Sequence, residues 1–128
     1  MAAVPEHDAV VDVLRANGAS FAYLFGSRAR GDHRDDSDTD VAAWWKSSPP
    51  HSWDVELPTD VDLVVLNNAP LELAGRIALE GRLLFDDDPP NRVRWTADTR
   101  KIWLDERYRF ERAHREFLEA AARGFERS

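Results

Sequence analysis

The chain has 128 residues, of which 43% are hydrophobic, and its formal net charge is −7 at pH 7. This apolar content is enough for one core, so we expect a single domain over residues 1–128. The acidic balance argues against direct nucleic-acid binding, because binding to a phosphate backbone is driven by a surplus of Lys and Arg. The absence of cysteine excludes disulfides, thiolate metal sites and thiol catalysis.

No apolar run is long enough to span a bilayer, and the first residues lack the basic-then-apolar pattern of a signal peptide. We therefore expect a cytoplasmic protein with no membrane partner. The charge is spread unevenly along the chain. Residues 91–128 carry ten basic and seven acidic side chains, whereas the rest carries seven basic and seventeen acidic ones. An acidic body thus has a mildly basic tail.

The first half of the chain predicts a helix, two strands and a polar connection between them. Pro5 suits a helix start, Asn17-Gly18 suits its end, and the apolar run before Gly26 is typical of a buried strand. The predicted elements are a helix over 5–18, a strand over 21–25, a short helix or turn over 28–31, a loop over 32–37 and a strand over 39–45.

The second half predicts an exposed proline-rich connection followed by alternating strands and helices. The predicted elements are a connection over 46–58, a strand over 60–66, a helix over 70–80, a strand over 82–85, a turn over 86–90 and a long amphipathic helix over 91–124. This order indicates an α+β domain, with a core over about 8–90 and a C-terminal helical segment over about 91–124.

Gly26 and Ser27 predict a phosphate-binding turn. A strand that ends in Gly-Ser and passes into a short helix offers backbone N–H groups, a hydroxyl and a helix N-terminus to an anion. Arg28 and Arg30 can add positive charge beside the phosphates, although arginines in such loops are often only surface residues.

Three aspartates predict a metal site. If 39–45 is a strand, its period of two puts Asp38 and Asp40 on one face, and Asp62 in the third strand can project toward it. Close carboxylates repel each other unless a cation lies between them, so we expect magnesium, with two ions serving a bound triphosphate. Asp60 shares the face of Asp62 and competes for the role of third carboxylate.

Less specific interpretations exist for each of these groups. The acidic run around Asp38 is typical of a solvated loop, and Asp62 could simply end a strand. The tryptophans are mostly core candidates, although two of them could stack on an adenine or contact a partner, namely Trp44 and Trp53.

The GS-x10-DxD spacing, followed by an Asp in an apolar strand, resembles the minimal nucleotidyltransferases of the DNA polymerase β superfamily. More closely, AYLFGSRARGD, SDTDVA, VDLVVLN and the tail RVRWTADTRKIWLDERYRFERAHREFL are similar to MntA-type adenylyltransferase antitoxins, which are encoded beside a HEPN-domain ribonuclease toxin. The resemblance covers about Phe21 to Leu118. The segment from Trp44 to Pro58 departs from it, because it is longer and more polar than the resemblance leads us to expect.

This resemblance implies a minimal nucleotidyltransferase fold and transfer of AMP from ATP to a tyrosine hydroxyl of the partner toxin. The roles it implies are phosphate binding by Gly26 and Ser27, and magnesium binding by Asp38, Asp40 and Asp62. Two alternatives stay open. The acceptor could be a small-molecule hydroxyl, or the protein could neutralise its toxin mainly by binding and occlusion.

Overall fold

The computed structural model describes residues 5–26 and 39–127 of the chain. Within these ranges lie three α-helices and four strands, with short 3-10 turns at Ser52–Asp54 and Leu66–Asn68. In chain order the elements are α1 (Pro5–Ala16), β1 (Phe21–Phe25), β2 (Thr39–Trp44), β3 (Val61–Val65), α2 (Leu71–Glu80), β4 (Arg82–Asp86) and α3 (Pro89–Arg127).

The four strands form one mixed sheet in the order β3-β2-β1-β4. The central strand β1 runs antiparallel to both β2 and β4, whereas β2 and β3 are parallel. The α+β prediction is therefore confirmed, with a long C-terminal helix as expected. The turn predicted over 28–31 and the loop over 32–37 lie outside the described residues.

Helix α1 covers one face of the sheet. Its buried residues Val10 and Leu14 pack into a cluster with alternate residues of the central strands, which include Leu24 and Val41. The period of two along each strand puts these side chains on the same face. The remaining strand residues therefore point to the opposite face, where the two other helices lie.

The opposite face is packed by aromatic side chains. Phe21 is fully buried, stacks on Trp44 with ring centroids 5.3 Å apart, and contacts Trp95 from the start of α3. Tyr23 and Thr96 share a buried hydrogen bond of 2.8 Å. Because the Thr96 hydroxyl donates its proton to the carbonyl of Arg92, Tyr23 is the donor in this bond. The beginning of α3 is thereby fixed to the sheet.

A bidentate ion pair connects α1 to the end of β4. Arg15 donates from Nε and Nη2 to the two carboxylate oxygens of Asp87, each at 2.8 Å. The hydrogen bonds from this guanidinium lower the pKa of Asp87 below its usual range. Both side chains are about half exposed, so the pair orients the helix more than it stabilises the fold.

Helix α3 packs on the domain only through its first half. Trp103 lies against α2, and the guanidinium of Arg100 donates to the carbonyl of Ala78. Beyond Trp103, every described side chain up to Gly124 is exposed. Phe110 and Phe117, which belong to the apolar spacing of this helix, are 74% and 69% exposed. The helix is therefore amphipathic as predicted, but its second half covers none of the sheet. No helix in the described ranges has the length and apolarity needed to cross a membrane.

Gly75 and Gly124 test the packing of α2 on α3. Alanine normally stabilises a helix interior by ~0.5–1 kcal/mol relative to glycine. A Cβ at Gly75, however, would lie 2.2 Å from Cγ of Trp103, whereas one at Gly124 would meet nothing within 4 Å. We expect Gly75→Ala to lower the free energy of unfolding by ~1–3 kcal/mol, and Gly124→Ala to be neutral or slightly stabilising, both measured by urea denaturation. A Gly75→Ala variant as stable as the unmodified protein would contradict this packing.

Candidate active site

The site is built where β1 ends and β2 begins. Antiparallel pairing places Phe25 opposite Asp40, so Gly26 turns away beside the Asp40 side chain. Gly26 has φ +76°, a left-handed conformation that L side chains rarely adopt. A Cβ at this position would lie 2.7 Å from Oδ2 of Asp40. The carboxylate of Asp40 therefore occupies the space that any side chain at position 26 would need.

Strand β3 brings the second carboxylate to the same place. In the parallel pairing of β2 with β3, Asp40 is the register partner of Asp62, and Ala42 is the partner of Val64. Ala42 and Val64 pack into the aromatic cluster on one face of the sheet. Two positions earlier in each strand, Asp40 and Asp62 lie on that same face. Adjacent strands are ~4.8 Å apart, so the two carboxylates are neighbours.

The register also separates Asp62 from Asp60. Asp60 precedes β3, and its backbone carbonyl accepts a 2.8 Å hydrogen bond from the N–H of Thr39 at the start of β2. Its side chain is thus offset by two residues from the position opposite Asp40. The pairing places Asp62, and not Asp60, beside Asp40.

Four of the predicted site residues lie in the part of the chain between β1 and β2. Ser27, Arg28, Arg30 and Asp38 lie outside the described residues, so their roles stay predictions. Within the described ranges no group of three or more His, Cys, Asp or Glu side chains is arranged to hold a metal ion. Of the three carboxylates predicted for the site, Asp40 and Asp62 lie in the described ranges and Asp38 lies outside them.

The donor set of Asp40 and Asp62 fits a magnesium ion. Two carboxylates side by side on neighbouring strands supply hard oxygen ligands, which Mg²⁺ prefers. A cation bound between two such carboxylates offsets the repulsion of their negative charges. Asp62 is exposed and Asp40 is partly exposed, so an ion can reach both carboxylates from solvent.

Asn67 holds β2 and β3 in register, a role that the sequence analysis did not predict. Its side-chain Oδ1 accepts from the N–H of Trp45 at 3.0 Å, while its Nδ2 donates to the carbonyl of Trp45 at 2.7 Å. The amide thus pairs with the main chain just beyond β2, as a further strand residue would. An asparagine directly after a strand usually marks a turn, so the sequence alone predicts only the end of β3 at this position.

An open cleft of about 340 Å³ borders Asp62 on the outer side of β3. Its lining includes Trp53, Leu57 and Thr59 from the connection that leads into β3. Trp45 is buried at 3% exposure, as expected for a core residue, whereas Trp53 is 77% exposed. The connection that departs from the expected pattern therefore contributes to a cleft that borders Asp62.

The family model "Polymerase beta, Nucleotidyltransferase" matches residues 9–90, which is more than half of the chain. The protein therefore belongs to the polymerase β nucleotidyltransferase family. The matched range contains both described carboxylates and Gly26, together with the whole of the four-stranded sheet. No protein with a curated function matches the chain.

Several solved structures share the fold. A toxin-antitoxin crystal structure with AMP-PNP has a TM-score of 0.72 and 22% identity, covering 90% of this chain and 99% of that one. The toxin-antitoxin MntA-HepT has a TM-score of 0.67 and 20% identity, and the match covers 88% of this chain and 97% of that one. A tri-AMPylated Shewanella oneidensis HEPN toxin in complex with MNT antitoxin has a TM-score of 0.67 and 20% identity, and the match covers 88% of this chain and 96% of that one.

Gly26 and Gly18 form a matched pair for testing the site. Both have a left-handed φ, so alanine at either should cost ~1–2 kcal/mol of stability. A Cβ at Gly18 would only reach ordinary contact with Trp45 at 3.8 Å, whereas one at Gly26 would displace the carboxylate of Asp40. A displacement of about 1 Å can lower a rate by ~10²-fold.

We therefore expect Gly26→Ala to lose nucleotidyl transfer by about two orders of magnitude, while Gly18→Ala keeps it. Stability is measured by urea denaturation and activity by single-turnover transfer at a temperature where both variants are folded. Equal activity in the two variants would show that the approach of Asp40 to Gly26 does not serve the site.

Proposed function

We propose that this protein is a magnesium-dependent protein adenylyltransferase that acts as an antitoxin. It transfers AMP from ATP to a tyrosine hydroxyl of a HEPN-family ribonuclease toxin and thereby inactivates the toxin. The observation that carries the proposal is the register of β2 and β3, which sets Asp40 and Asp62 side by side next to the glycine that ends β1.

In this mechanism each group has a distinct task. The triphosphate lies against Gly26 and Ser27, with Arg30 adding positive charge, so that the pyrophosphate end is held near β1. Asp62 accepts the proton of the acceptor hydroxyl. The hydroxyl oxygen then forms a bond to the α-phosphorus as the bond to the pyrophosphate oxygen breaks. Magnesium ions held by Asp38, Asp40 and Asp62 would supply neutralisation of the phosphate charge.

Structural similarity supports ATP as the donor and a protein as the acceptor. One of the similar structures is a toxin-antitoxin with AMP-PNP, and another contains a tri-AMPylated HEPN toxin with its MNT antitoxin. At 20–22% identity these structures share the fold with this chain, and the site residues supply the link to the reaction. The tri-AMPylated toxin in the second structure favours transfer to a protein over transfer to a small molecule.

Asp62 and Asp60 provide a direct test of the mechanism. Removal of a general base typically costs ~10² to 10⁴ in rate, and Asp62→Asn also removes a magnesium ligand. We expect Asp62→Asn to abolish AMP transfer and Asp60→Asn to leave it near the unmodified rate. The readout is the intact mass of the toxin after incubation with ATP, in which each added AMP unit is counted.

Two results would contradict the proposal in different ways. Full transfer by Asp62→Asn together with loss in Asp60→Asn would exchange the roles of the two aspartates. Full transfer by both single variants and by Asp40→Asn would exclude carboxylate-assisted transfer at this site.

Neutralisation by binding is a second candidate function, which the exposed half of α3 favours. Phe110 and Phe117 are seven residues apart and therefore lie on nearly the same side of the helix, where Leu118 extends the apolar stripe. Helix faces of this kind commonly dock on an apolar surface of a partner. Here the partner is the same toxin, held by α3 while its hydroxyl is presented to the site.

Variants of α3 separate binding from transfer. Phe110→Glu with Phe117→Glu should weaken toxin binding about tenfold or more, because buried aromatic anchors dominate such contacts. Tyr108→Glu is the control, since Tyr108 is also exposed and lies about 200° around the helix from Phe110. Binding is measured by calorimetry with Asp62→Asn as background. If Asp62→Asn alone still inhibits the toxin fully, occlusion is the main mechanism. If Tyr108→Glu weakens toxin binding as much as the phenylalanine substitutions do, the apolar stripe has no specific role in binding.

A further inference from the structure

The site residues follow a lateral order along one end of the sheet. Gly26 ends β1, Asp40 lies in the neighbouring β2, and Asp62 lies in β3, the edge strand. In phosphoryl transfer the attacking and leaving oxygens lie roughly in line on opposite sides of the phosphorus. Since the proposed function holds the pyrophosphate near Gly26, the acceptor must arrive from the opposite side, beyond β3.

The cleft beside Asp62 lies at the edge strand β3, on the side from which the proposed mechanism brings the acceptor. It measures about 340 Å³ and is lined by Trp53, Thr59 and Asp62, among others. A second open cleft of about 290 Å³ also borders Trp53 and continues along β3 toward Ala69. Trp53 thus lies between two adjoining depressions, which suit an extended segment of several residues better than one small molecule.

The exposed side chain of Trp53 is fixed in orientation by its neighbours in the connection. Its ring stacks on His51 with centroids 4.4 Å apart and planes 4° from parallel. The 3-10 turn Ser52–Asp54 carries it, and Val55, which is buried among the residues under α1, anchors the turn. A large ring fixed in this way presents its contact area at little cost in conformational entropy.

The charge around the cleft defines the chemistry of its occupant. Residues 47–62 contain four aspartates and glutamates and no Lys or Arg. The four carboxylates are all exposed, at Asp54, Glu56, Asp60 and Asp62. An acidic surface attracts a basic segment, and the face of a tryptophan also binds cations.

We propose that this cleft binds the acceptor segment of the partner protein, and that Trp53 determines which segments are accepted. The occupant is an extended stretch that carries the acceptor hydroxyl at Asp62 and at least one Lys or Arg beside it, over Trp53 and its acidic neighbours. This inference rests on the proposed function and adds the site and charge of the acceptor to it.

Truncation of Trp53 provides the first test. We expect Trp53→Ala to raise the KM for the toxin about tenfold, with the KM for ATP and the kcat at saturating toxin unchanged, and Trp53→Phe to recover most of the loss. Leu83→Ala is the control, because Leu83 is exposed on β4 at the other edge of the sheet. A rise in the KM for ATP would instead assign Trp53 to the nucleobase, and unchanged constants would leave it a surface residue; either result overturns the inference.

Charge reversal provides the second test. Asp54→Lys with Glu56→Lys should raise the KM for the toxin and reduce its dependence on salt. Asp8→Lys with Asp12→Lys makes the same change in net charge on α1, where both residues are exposed and away from the cleft, and should have little effect. Equal effects of the two pairs would show that only net charge matters and would overturn the inference.

Measurement of toxin binding in the absence of nucleotide distinguishes failure of the proposed AMP transfer from failure of the proposed docking cleft. If the unmodified protein transfers AMP but Trp53→Ala changes neither binding nor KM, the inference fails and the proposed function stands. If no transfer occurs but Trp53→Ala still weakens toxin binding, the proposed function fails and the docking cleft stands.

Discussion

The parallel pairing of β2 with β3 is the constraint on which the rest of the site depends. A slip of one residue would turn Asp62 to the other face of the sheet, and a slip of two would put Asp60 or Val64 opposite Asp40. Contacts at both ends oppose such slips. Thr39 bonds to the carbonyl of Asp60 at one end, and Asn67 bonds to both main-chain groups of Trp45 at the other. Two acidic side chains are thereby kept adjacent on neighbouring strands.

Much of this fold could be predicted from the sequence, because short apolar runs mark its strands and glycine marks the ends of some of its elements. These signals predict the strand before Gly26 and the helix before Asn17-Gly18. The apolar period also placed alternate residues on opposite faces of the sheet. Such a period assigns a face to each side chain but not a partner to each strand. Which of Asp60 and Asp62 lies opposite Asp40 therefore follows only from the register, which depends on contacts between distant parts of the chain.

The apolar stripe of α3 and the connection 46–58 were also visible in the sequence, but their positions in the fold were not. The spacing of Phe110 and Phe117 predicts an apolar stripe, but only the packing of α3 shows that the stripe lies beyond the sheet. The connection 46–58 was recognised as irregular from its prolines, yet its contribution of Trp53 to a cleft beside Asp62 follows from the edge position of β3. The predicted phosphate-binding residues Ser27 and Arg30 lie outside the described residues and stay predictions.

Substitutions in α3 have different effects in its packed first half and in its exposed second half. Substitutions before Trp103 disturb the core, because Thr96 and Arg100 bond to the sheet and to α2. Substitutions after it alter a surface that the fold does not need. Recognition of a new partner can therefore evolve on the outer turns of this helix without loss of the machinery that the sheet supports.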